Sequence, residues 1–140
     1  MNQLVFIVED DHNVRKLLTI ILREKDIPFI FASNLDDAIK LFELNKGVIT
    51  FMAIDGDLTY DQVSKLPETL ALARIIAASQ DFKGTTFAMS SVPKHCKILK
   101  ETIGERCEIF SEHSFSIKFD TIREIIRRIT EKKERKEETH

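Results

Sequence analysis

The chain has 140 residues, 43% of them apolar and 31% charged, and a formal charge of −2, which bounds it to one globular domain of ordinary soluble composition. That balance excludes the strongly basic surface of a nucleic-acid or anionic-membrane binder, and no apolar run approaches the roughly 18 residues needed to span a bilayer. Met1-Asn2-Gln3 leads directly into an apolar run without the basic region or cleavage site of a signal peptide. Two cysteines, Cys96 and Cys107, are too few for a disulfide framework, so a reducing cytoplasm is expected.

In chain order, Leu4-Val5-Phe6-Ile7-Val8 reads as a buried strand ending on Glu9-Asp10-Asp11. Val14, Leu17, Leu18, Ile21 and Leu22 then form one helical stripe, broken by Pro28. Phe29-Ile30-Phe31-Ala32 is a short strand, and Ser33 or Asn34 caps a helix whose apolar side is Leu35, Ala38, Ile39, Leu41 and Phe42. Gly47 stops that helix. From Val48 a β-branched and aromatic run leads to Ile54, then to Asp55-Gly56-Asp57; it is too short for a typical helix and reads as the central strand. Residues 61–80 show helical spacing, with Pro67 opening a new helix inside them. Thr85 to Met89 is a strand ending on Ser90-Ser91. Pro93 opens a helix that Gly104 ends, and Cys107 to Phe110 is a weak strand near an edge. The last helix starts at about Ser116 with Phe119, Ile122, Ile125, Ile126 and Ile129 inward.

Strand and helix therefore alternate, which predicts an α/β fold: a five-stranded doubly wound parallel sheet of flavodoxin-like order 2-1-3-4-5, with helices on both faces. Residues 1–130 form the domain and 131–140 a charged helical or frayed tail, where pairs such as Glu131 with Arg135 support a helix. The first and third strands are neighbours at the switch point of such a sheet, so Glu9, Asp10, Asp11, Asp55 and Asp57 gather at one edge. Carboxylates so close repel one another, and a hard divalent cation with oxygen ligands resolves the repulsion. A carboxylate beside such a cation can act as a nucleophile toward phosphorus.

Val8-Glu9-Asp10-Asp11-His12-Asn13-Val14-Arg15, the spacing from Asp10 to Asp55 and the successive βα units resemble the receiver domain of two-component response regulators over essentially the whole chain. The resemblance implies Mg²⁺ on Glu9, Asp10, Asp55 and the backbone carbonyl of Asp57. It implies Asp55 as acceptor of a phosphoryl group from a histidine kinase or phosphotransfer protein, with no turnover as an enzyme. Ser90 and Phe110 stand at the family's switch positions. The expected partners are that phosphodonor and a downstream protein target, not nucleic acid or a membrane, with the chain a monomer or weak homodimer. If the chain is complete, the resemblance implies that the signal leaves by the face of the fourth helix, fifth strand and fifth helix.

Several departures weigh against full function. The family's Lys-Pro after the fifth strand is missing, and His113 (or, in another register, Ser111) stands there without a permanent cation. Thr59 replaces a customary proline. A pseudo-receiver that binds protein but is never phosphorylated is thus one alternative. A second is a haloacid-dehalogenase-type phosphatase, since Asp55-Gly56-Asp57-Leu58-Thr59 matches its DxDxT nucleophile motif, though in that family the motif sits on the first strand. A flavin carrier of the same strand order is disfavoured because Glu9-Asp10-Asp11 would repel phosphate. Zinc on His95, Cys96, Cys107 and His113 matches no standard spacing.

Overall fold

The computed structural model describes residues 3–58, 66–110 and 116–138. Five parallel strands, β1 (Leu4–Val8), β2 (Phe29–Ala32), β3 (Ile49–Ile54), β4 (Thr85–Ala88) and β5 (Cys107–Glu108), make one sheet in the order β2-β1-β3-β4-β5. Between and after them run α1 (His12–Glu24), α2 (Leu35–Asn45), α3 (Leu70–Ala78), α4 (Pro93–Ile103) and α5 (Ile117–Glu138). Helices α1 and α5 lie against each other, and α3 packs on both α2 and α4. The sheet is covered on both faces, which is why β1 and β3 read as continuous apolar runs and not as alternating ones. Phe51 to Ile54 and Val5 to Val8 are all buried, with Phe6, Phe42, Phe82 and Phe87 among the largest side chains of the core.

Local signals set the helix ends. Asp11 caps α1 by accepting from the N–H groups of Asn13 and Val14 at 2.9 and 3.1 Å, and Asn34 caps α2 by accepting from that of Asp37 at 2.8 Å. Pro93 lies in the first turn of α4, and Gly104 ends it at φ 94°, where a side chain would be strained.

Several expectations need correction. Leu17, assigned to the inward stripe of α1, is 49% exposed, and Leu18 and Leu22 carry that helix's burial. The third helix starts at Leu70, not Pro67; the Pro67 carbonyl instead closes a turn by accepting from the Leu70 N–H. The fifth strand has shrunk to two residues. The charged tail continues α5 without a break as far as Glu138. Thr59 and the first part of the expected 61–80 helix, residues 61–65, lie outside the described residues. No helix among the described residues is long and apolar enough to cross a membrane.

Helix α5 is tied to the sheet by Ile122, Ile125 and Ile129 and by ion pairs. Arg128 makes two 2.7 Å bonds to the Glu108 carboxylate, donates to Glu124 at 2.8 Å, and lies 5.0 Å over the Phe87 ring. This anchorage fixes where the first turn of α5 falls relative to the strand ends.

Candidate functional site

Strand register brings the acids together. Val8 pairs with Ile54 across β1 and β3, and Ile54 with Ala88 across β3 and β4. One residue further on, the Asp55 N–H donates to the Val8 carbonyl at 3.0 Å and the Glu9 N–H to the Ala32 carbonyl at 2.9 Å. Glu9 and Asp55 therefore leave adjacent strands side by side, at the carboxyl edge where ligands of such sheets bind. Carboxylate oxygens of Glu9, Asp10 and Asp55 all lie within 4.8 Å of one another.

Burial dominates the electrostatics. Glu9 is 0% and Asp55 4% exposed. Loss of water, and next the Asp55 charge, push the Glu9 carboxyl from its ordinary 4.5 up to about 7. Burial also raises Asp55, against the opposing pull of Lys118. The Lys118 Nζ lies 2.8 Å from Glu9 Oε1 and 3.0 Å from Asp55 Oδ2. Burial alone would lower its pKa, but the charges of Asp55 and Glu9 outweigh that and raise it.

This ammonium corrects the expectation of a site without a permanent cation. It comes from the second residue of α5 and not from the loop directly after β5. His113 and Ser111 lie outside the described residues. A signal for Lys118 existed in the sequence, since it is the only Lys or Arg between Arg106 and Arg123.

The donor set fits a divalent cation. Three carboxylates face one ammonium, and Glu9 Oε2 is buried with no hydrogen-bond partner. An orphaned, desolvated carboxylate oxygen is costly unless a cation or donor meets it, and hard oxygen donors suit Mg²⁺. Among the described residues this is the one His/Cys/Asp/Glu group with metal-binding proximity; His95, Cys96 and Cys107 form none. Burial instead pushes the Cys96 and Cys107 thiols up to about 11 and 12, which leaves them protonated and inert.

Beyond β3 the geometry changes. The Asp57 N–H donates to Asp55 Oδ1 at 3.2 Å, but the Asp57 side chain turns away toward α4. There its Oδ2 accepts from His95 Nδ1 at 2.8 Å and is approached by the Ser90 Oγ at a long 3.4 Å. Ser90 Oγ itself accepts from the Val92 N–H at 3.1 Å. Thr69 Oγ1 donates to the Asp55 carbonyl at 2.9 Å, and the Thr69 N–H to the Gly56 carbonyl at 3.3 Å, so the segment before α3 braces the loop. Phe110 follows β5 and is 48% exposed, so its ring faces outward. Thr69 and Lys118 escaped the sequence reading altogether, and His95 entered it only as a zinc ligand.

No family model matches the chain, and no curated protein matches it. Among solved structures, a response regulator receiver protein from Pseudomonas putida is 23% identical, with a TM-score of 0.50 over 64% of this chain and 69% of that one. The receiver domain of the Saccharomyces cerevisiae response regulator Ssk1, solved with the histidine phosphotransfer signaling protein Ypd1, is 16% identical, with a TM-score of 0.58 over 76% of this chain and 77% of that one. At these identities the likeness is one of fold: five strands in the order 2-1-3-4-5 and their helices, as in receiver domains.

Proposed function

We propose that the chain is a receiver module of a two-component phosphorelay, with Asp55 as phosphoacceptor. One observation carries the reading: Glu9, Asp10 and Asp55 converge within 4.8 Å while Lys118 bonds the two most buried of them. An oxygen of the Asp55 carboxylate attacks the phosphorus of a partner's phosphohistidine. The new O–P bond forms as the P–N bond breaks, and the leaving imidazole nitrogen keeps the electron pair and takes up a proton. Lys118, already beside Asp55 Oδ2, meets the incoming phosphoryl charge.

Glu9, Asp10, Asp55 and the Asp57 carbonyl are the groups that would hold Mg²⁺, which supplies charge neutralisation at the phosphoryl oxygens. Glu9 must give up its proton to serve, and Thr69 keeps the Asp55 main chain from yielding. Once Asp55 is phosphorylated, Ser90 exchanges its contact with Asp57 for one to the phosphoryl group, and the surface of α4, β5 and α5 reads out the change as a population shift. The structural likeness to a receiver solved with a phosphotransfer protein supports such a protein as donor. A cytoplasmic setting goes with this role.

The phosphatase alternative needs the Asp57 carboxyl free as a general acid, whereas that group is bonded to His95. It also needs Asp55 at the end of the first strand, as in the motif's usual arrangement, and Asp55 directly follows β3. The pseudo-receiver alternative rested mainly on a missing lysine, and the position of Lys118 beside Asp55 supports the active reading over it. Incubation with acetyl phosphate and Mg²⁺ followed by a Phos-tag gel is expected to retard the wild type and leave Asp55→Asn unshifted. Equal mobility of the two proteins would contradict the proposal and favour the pseudo-receiver.

A further inference from the structure

The meeting of Asp57 and His95 is not needed for phosphoryl transfer itself. His95, the third residue of α4, is 3% exposed, and its Nδ1 is 2.8 Å from Asp57 Oδ2. The other carboxylate oxygen, Asp57 Oδ1, is buried with no hydrogen-bond partner. The carboxylate is therefore oriented by His95, with only the 3.4 Å approach of Ser90 beside it. An orphaned buried acceptor opposes folding, so its burial beside a short bond to His95 marks a contact held in spite of its cost. The packing has no slack either. A Cβ at Gly56 would fall 3.0 Å from His95 Cβ and 3.1 Å from Ser90 Cβ. On its other side, Asp57 is bound to the acceptor carboxylate through its N–H on Asp55 Oδ1.

We propose that His95 is a positioning residue: through Asp57 it makes α4 respond to what occupies Asp55. The inference rests on Asp55 being the phosphoacceptor. A phosphoryl group on Asp55 competes for the Asp57 N–H and adds negative charge beside the Asp57 carboxylate. A shift of Asp57 pulls on His95, because the bond between them is short and Gly56 packs closely against His95 and Ser90. The chain of contacts from Asp55 to α4 is thus continuous and each link is a named bond.

Amide NMR of the full chain with Mg²⁺ and beryllofluoride tests the link. In the wild type, amides of Glu9 to Asp11, of Asp55 to Asp57 and of Lys94 to Lys97 are all expected to shift. His95→Asn, which keeps a donor near the Nδ1 position, preserves the α4 shifts. His95→Leu keeps the loop shifts but cuts the α4 displacements by at least about twofold. The His95 side-chain N–H resonance of the wild type gives the same answer without any substitution, and it too is expected to move. Unchanged α4 shifts in His95→Leu, or an unmoved imidazole resonance, would overturn the link while leaving Asp55 as acceptor. No shift at the loop amides of the wild type would overturn both.

Discussion

Two neighbouring corners of the sheet edge are held in different ways. Around Asp55, three carboxylates from the ends of β1 and β3 gather, one ammonium bonds two of them, and a buried oxygen of Glu9 is left unmet. Around Asp57, one carboxylate meets one imidazole from α4. The first corner is short of positive charge and open to a cation. The second joins a loop to a helix through one side-chain bond and leaves Asp57 Oδ1 unmet. Asp55 and Asp57 are the same residue type two positions apart, so their roles come from the element that reaches each one and not from the motif they share.

The sharpest way to break this contrast is to remove the ammonium. Lys118→Met is expected to slow phosphorylation of Asp55 by acetyl phosphate about a hundredfold, the cost of deleting one donor at developing charge. It should also lower stability by about 3 kcal/mol in urea melts without metal, because Glu9 and Asp55 lose their shared counter-charge. A loss of rate under about threefold would mean that the cation at this corner is structural.

The next effect separates the corners by pH. The folded-state pKa of Glu9 is raised, so the folded chain keeps a proton that the unfolded chain releases near 4.5. The resulting stability is complete below 4.5 and is lost as pH rises through about 7, on the order of 3 kcal/mol. Mg²⁺ needs the ionised carboxylate, so the thermal shift it produces should grow from pH 6 to pH 8. Glu9→Gln should flatten both trends, with the metal's effect reduced about tenfold or more in affinity. A metal-induced shift independent of pH would place the ion elsewhere.

Thr69→Val gives the smallest expected effect. Losing the bond to the Asp55 carbonyl should cost about 1 kcal/mol, or about 4 °C in the melting midpoint. The phosphorylation rate should change little, since the brace acts on the main chain and not on the acceptor oxygens. A large loss of rate would make Thr69 part of the chemistry.

What could be read from the sequence were the features that strands impose. Leu4 to Val8 and Val48 to Ile54 are apolar runs that end abruptly on acids, and parallel pairing puts such ends at one edge, so the sheet order and the acidic cluster followed from the pattern. Residues that enter the site from helices were harder to read. The reach of Lys118 depends on how Arg128, Ile122 and Ile125 seat α5 on the sheet, which is decided by tertiary packing. The cation beside Asp55 therefore comes from α5 and not from the segment directly after β5. His95 and Thr69 are similar cases, because helix register and the turn before α3 leave little mark on hydropathy. Pro67 misled for the related reason that a proline suits a turn as well as a first helical turn.

The most direct test of the account is the mass of the intact protein after acetyl phosphate and Mg²⁺, followed by borohydride reduction and peptide mapping. A single phosphoryl adduct, converted on reduction to homoserine at position 55 and absent from Asp55→Asn, is the expected result. No adduct in the wild type, or one that maps away from Asp55, would contradict it.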